Sequence, residues 1–222
     1  MTRERFQAAL TELREAVREL GETVRAVLRE GLDAIGASPG GAFPTAPATG
    51  VADRLRELEA DCVELFALQQ PVGGDLRHVA ASYKVLTDLH RVATLGRNLG
   101  GYATAVSVEV RDHVDLGPIA DLVDDQFETA LDAYADDDVA AARRVHGRDD
   151  EVDALCARAS QSLIRDLLER SADASPWAVE AALDDVTGVL LAVRDLERVG
   201  DHAANVAART VYAVENDPSL LY

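Results

Sequence analysis

The stretch DLERVGDHAAN, Asp195–Asn205, lies inside a long segment whose apolar residues recur at helical spacing. On a helix, Glu197 and Asp201 are four residues apart and share one face, which sets two like charges side by side. A cation between them would reverse that cost. An altered copy stands 107 residues earlier as DLHRVATLGRN, Asp88–Asn98. The copy keeps Asp88, Leu89, Arg91, Val92 and Asn98 opposite Asp195, Leu196, Arg198, Val199 and Asn205, but has His90 and Thr94 where the later copy has Glu197 and Asp201.

Outward from these two stretches the chain reads as a duplicated helical trio. Phe6, Leu10, Leu13, Val17, Leu20, Val24 and Val27 alternate steps of four and three, an apolar stripe on a first helix from about Arg3 to Ile35. GASPGGAFPTAPATG, Gly36–Gly50, is too rich in Gly and Pro for helix and reads as a flexible connection. The second helix runs from Val51 to Gln70, where Pro71 stops it, with Leu55, Leu58, Cys62 and Phe66 on its buried face. After a tight turn over Pro71–Asp75, the third carries Leu76, Val79, Tyr83, Leu86, Leu89, Val92 and Leu99 on its apolar stripe as far as Gly100-Gly101. YATAVSVEV beyond it reads as a fraying helix end.

A fourth helix begins near Pro118, a favoured first-turn residue, and buries Ile119, Val123, Phe127, Ala130 and Tyr134. The acid run Asp136–Asp138 marks a turn and a fifth helix start, that helix reaching about Arg170 with a soft point at Gly147. SADAS is a loop, with Ser175 as N-cap and Pro176 opening a sixth helix to about Val214. The halves align at an offset of 101 in the second helix of each, Cys62 with Leu163 and Phe66 with Leu167, and at 107 after the loop. The expected fold is therefore all-α: two three-helix bundles, residues 1–107 and 108–222.

In the second bundle Asp149 and Asp153 are also four residues apart. Asp149 and Asp201 lie 26 residues either side of Ser175, and Asp153 and Glu197 lie 22 either side. Two helices folded back about that loop bring the pairs to the same height. Four carboxylates in one patch repel unless they are protonated or bind cations, and hard oxygen donors at that density suit divalent or iron-type metal ions. The plainer alternative is a solvated acidic face. The first half supplies a control, because its equivalent positions are Ala48, Ala52, His90 and Thr94. Residues common to both halves are then expected to serve packing, and Asp149, Asp153, Glu197 and Asp201 to serve a function confined to the second. His146, one turn before Asp149, is within reach of the patch; Asn205 continues its face; His202 is expected at the surface.

Composition excludes several function classes. Net charge is −18, with 40 acidic residues against 22 Lys plus Arg, so there is no basic face for nucleic acid or anionic lipid. Lys84 is the single lysine; acid excess with lysine nearly absent resembles the proteome of a salt-accumulating halophile of the haloarchaeal kind. Met1 is followed by Thr-Arg-Glu-Arg, without the apolar region of a secretory signal, and no apolar run is long enough to span a membrane. A cytoplasmic location is expected. Cys62 and Cys156 have no paired spacing and read as buried thiols rather than a disulfide.

LFALQQPVGGDLR (Leu65–Arg77), DLHRVATLGRN, RDDEVDALCARASQSLIRDLLE (Arg148–Glu169) and DLERVGDHAAN together resemble the PhoU family of phosphate-uptake regulators over nearly the whole chain. The resemblance implies two three-helix bundles, a Glu/Asp-x-x-x-Asp motif in each repeat that binds multinuclear metal clusters, and self-association. It further implies a negative regulator of the phosphate ABC transporter that docks on the ATPase subunit or a related signalling protein. The metal motif falls on Glu197 and Asp201 with Asp149 and Asp153 facing; its first-half counterpart is missing. Two readings compete with this regulator. One is a metal-dependent hydrolase or di-metal oxidase, although Gly200 stands three after Glu197 where an oxidase bundle would carry His, and no nucleophile stands by Arg194 and Arg198. The other is a metal-free structural adaptor.

Overall fold

The computed structural model describes residues 3–36, 50–69, 73–105, 114–171 and 176–221. They form seven helices and, among the described residues, no strand: α1 (Arg3–Gly36), α2 (Val51–Gln69), α3 (Gly74–Ala105), α4 (Gly117–Asp136), α5 (Val139–Gly147), α6 (Asp149–Ser171) and α7 (Pro176–Glu215). The expected linker over residues 37–49, residues 70–72 of the turn, the end of YATAVSVEV, the loop at residues 172–175 and the boundary at 107/108 lie outside the described residues. The expected fifth helix is two. Asp137, at φ 56, closes α4, Asp138 accepts from the Ala141 amide to cap α5, and the chain breaks at Gly147-Arg148 before α6.

Helix directions follow from the pairs they bring together. Gln7 reaches Asp75 and Gly31 abuts Gly96, so α1 and α3 run parallel. Arg14 pairs with Asp137 and Arg25 forks onto Asp124, so α4 runs antiparallel to α1. Arg77 donates to the Ala213 carbonyl, whereas Asn98 donates to Asp195, so α7 runs antiparallel to α3. Thus α1 and α3 of the first half meet α4 and α7 of the second head to tail, as a two-fold relation between duplicated halves requires. The remaining helices pack outside this inner layer, α2 on α1 and α3, α5 and α6 on α7.

One apolar cluster runs through both halves. Every member of the α1 stripe named above is buried in the chain's own core. Leu89 and Val92 and their equivalents Leu196 and Val199 are wholly buried, as are Val123 and Phe127. Three stripe residues are not: Leu76 and Tyr83 sit on the exposed side of α3, and Phe66 of α2 is half-buried. Both cysteines are buried and unpaired, and burial pushes each thiol up to about 12.

A polar layer stitches the halves together. Asp88, only 3% exposed, accepts from Arg209 Nε at 2.8 Å and lies 2.9 Å from His202 Nδ1. Its equivalent Asp195, 5% exposed, accepts from Asn98 Nδ2 at 3.0 Å and from the Tyr102 phenol, whose pKa is raised by burial and by that carboxylate. Tyr102 and Arg209 are themselves equivalent at the offset of 107. His202 is accordingly an inter-helix contact with a largely buried side chain, not the surface histidine expected. One turn of α7 thus turns Asp201 outward and His202 inward.

Candidate metal centre

The α6–α7 pair keeps the register read from the loop. Cys156 Sγ lies 3.7 Å from the Val193 carbonyl oxygen, and Gly200 faces Val152 and Asp149. This height match is what brings Asp149, Asp153, Glu197 and Asp201 into one electrostatic group. Asp149 opens α6, where the helix N-terminus favours negative charge, yet its pKa is raised, first by burial and then by Asp201 and Asp153, with His146 opposing. Asp201 is raised by burial and Asp153 against the pull of His202 and Arg198. Glu197 is raised by burial, Asp153 and Asp201. Three carboxyls that burial and neighbouring carboxylates together push toward the neutral form make a site that gains when a cation arrives.

Beside Asp149 and Asp201 runs a groove of about 370 Å³, lined also by His146, Arg198, His202 and Asn205, with Leu220 and Leu221 of the C-terminal segment along one side. His146 stands in this groove, its Nδ1 buried and without a hydrogen-bond partner. Asn205 is there as expected. Glu197 and Asp153, both exposed, lie further along the helix pair toward the loop. As placed, no three His, Cys, Asp or Glu side chains among the described residues converge on a single ion-sized point. The donor chemistry nonetheless fits a hard cation: acceptor-only oxygens, raised pKa values, and a buried Asp149 Oδ1 that nothing satisfies.

Sequence reading did not find Gln126. It is wholly buried on α4, and its Oε1 has no partner. A glutamine at a core position of an amphipathic helix was the available signal, since buried amides are rare unless satisfied. In the first half the equivalents of Glu197 and Asp201, His90 and Thr94, face outward, and Thr94 donates to the His90 carbonyl and accepts from Arg97. Among the described residues, then, the acid quartet has no counterpart in the first half.

A family profile for the PhoU domain matches residues 116–210, the helices that carry the quartet. The chain is 34% identical over 161 residues to a phosphate-specific transport system accessory protein PhoU homolog of Deinococcus radiodurans, covering 71% of each. It superposes on the crystal structure of PhoU from Pseudomonas aeruginosa with TM-score 0.76 and 25% identity, covering 96% of this chain and 100% of that one. It shares its fold, at TM-score 0.80 and 20% identity over 96% of this chain and 98% of the other, with the phosphate transport system regulatory protein PhoU from Streptococcus pneumoniae. With a duplicated helical trio, a matching profile over the second half and relatives along most of its length, the chain belongs to the PhoU family.

Proposed function

We propose that the chain is a non-enzymatic regulator of phosphate uptake in the cytoplasm. In this reading it restrains the phosphate ABC transporter by docking on its ATPase subunit or a related signalling protein, with a metal held by the second bundle. The observation that carries the regulatory role is the likeness, over most of the chain, to accessory proteins of the phosphate-specific transport system. What supports metal binding is the quartet Asp149, Asp153, Glu197 and Asp201, in which the raised carboxyl pKa values of Asp149, Glu197 and Asp201 mark charge that is uncompensated within the chain. A bound divalent or iron-type ion would supply that compensation and lock α6 to α7 at one height. Salt adaptation belongs to the same proposal, supported by the net charge of −18 and the single lysine.

Phosphate uptake by cells lacking the chain, complemented with the wild type or with Glu197→Ala plus Asp201→Ala, tests the reading. The wild type is expected to restore restraint of uptake in phosphate-replete medium, and the double variant to restore it poorly. Metal analysis of both purified proteins, with phosphatase and ferroxidase assays alongside, should show metal in the wild type, little in the variant and turnover in neither. Uptake indifferent to the chain overturns the regulator; metal-dependent turnover replaces it with an enzyme.

A further inference from the structure

Beneath the acid quartet, α7 has a glycine where α4, α6 and α7 meet. A Cβ on Gly200 would stand 3.2 Å from Val152 Cγ1, 3.4 Å from Gln126 Oε1 and 3.6 Å from Asp149 Oδ1. The notch left by the missing side chain is therefore walled by two oxygens. Both are buried, and neither has a hydrogen-bond partner. The orientation of the Gln126 amide is fixed, because its Nε2 donates to the Val145 carbonyl at 3.3 Å, which leaves Oε1 toward the notch. Two acceptors facing one small space with no donor between them is an arrangement that folded proteins avoid unless something fills it. Whatever fills it must be small and must offer positive charge or hydrogens to oxygen.

We infer that Gln126 Oε1 and Asp149 Oδ1 are the inner oxygen ligands of a divalent cation seated over Gly200, with Asp201 closing the outer side. One of the two inner ligands is an amide oxygen, which hard cations accept as readily as a carboxylate. Gly200 is required because any side chain would occupy the ion's place. Val152, wholly buried, puts a methyl against the notch and offers the ion no ligand there. This inference rests on the metal reading above and adds to it a ligand and a size limit.

The test is a titration of the full chain with Mn²⁺, followed by electron paramagnetic resonance and by thermal melting. Gly200→Ala fills the notch, and Gln126→Met removes the inner oxygen while keeping the volume. Each is expected to weaken Mn²⁺ binding about tenfold or more. Without metal, Gln126→Met should melt no lower than the wild type, since an unsatisfied buried acceptor is gone; it carries the test if Gly200→Ala fails to fold. Glu197→Ala plus Asp201→Ala reports on the outer carboxylates separately. Mn²⁺ affinity lost in that double variant but unchanged by Gly200→Ala and Gln126→Met overturns the inner site alone, leaving a notch that holds only water. Wild type that binds no Mn²⁺ overturns the inner site and the metal centre together.

Discussion

Gly31 and Gly96 are where α1 and α3 touch backbone to backbone. A Cβ on Gly96 would lie 2.8 Å from Leu28 Cα, and one on Gly31 would run into the Gly96 carbonyl oxygen. Backbone cannot rotate aside as a side chain can, so the helices would have to separate along their buried length. Gly96→Ala is expected to cost about 1–3 kcal/mol by overpacking. Gly100→Ala, one turn further on with nothing within 4 Å of its added Cβ, should instead stabilise by about 0.5–1 kcal/mol through helix propensity. Chemical denaturation of the two variants checks this; equal signs would mean that the close approach does not govern stability. Neither glycine was legible in the sequence, where a lone Gly in a helix reads only as a weak spot. Its meaning lies in a contact across 65 positions.

Asp88 makes the same point for charge. Its carboxylate is buried and answered by His202 and Arg209, more than a hundred positions away. Asp88→Ala leaves Arg209 with its charge partner removed and is expected to destabilise by about 3 kcal/mol. A urea melt within a few tenths of a kcal/mol of wild type would show the polar layer to be incidental. The identity of Asp88 with Asp195 across the repeat was visible, and it foretold a packing role; the partners were not, because His202 and Leu95, its own equivalent, differ in chemistry.

At the scale of elements, the α6–α7 hairpin was the most legible part of the fold. A short loop and two antiparallel helices leave almost no freedom of register, so counting outward from Ser175 was enough to set Asp149 against Asp201. The break between α5 and α6 was marked only as a soft point at Gly147, yet it decides the site by making Asp149 the first residue of a helix. The hairpin also carries a pH dependence whose sign follows from the raised pKa values of Asp149, Glu197 and Asp201. A carboxyl whose folded pKa exceeds its unfolded value binds more protons folded than unfolded between the two, so stability falls as pH rises through that window. Metal-free protein should therefore melt at a lower temperature at pH 7 than at a pH just above the ordinary carboxylate range. Asp149, the least exposed of the three, carries most of this, solvent screening the others. Asp149→Asn should flatten the slope, and a divalent ion should abolish it; a slope of opposite sign would mean that the quartet is not a repelling group.

For the whole molecule the question is how an excess of acid is tolerated. Some of it is paired: Arg18 with Glu15 and Glu22, Arg25 with Asp124 and Glu128, Arg143 with Glu215 and Asp217. Pairing cannot reach the rest, since 40 acids outnumber 22 Lys and Arg, and the surplus repels itself across a structure only a few helices thick. Salt acts on both populations, weakening the pairs and the repulsion alike as the screening length shrinks from about 10 Å at 0.1 M to about 3 Å at 1 M. Close pairs held at hydrogen-bond distance lose less than repulsion summed over longer separations, so the balance favours folding in salt. The melting temperature is expected to climb steadily with KCl from 0.1 M into the molar range, and sodium chloride to act alike. A divalent ion should produce a different curve: a step that saturates at low concentration, disappears in Glu197→Ala plus Asp201→Ala, and sits on top of the graded monovalent rise. A melting temperature that is flat or falls with KCl would remove the case for salt adaptation while leaving the step, and hence the metal centre, to stand on its own measurement.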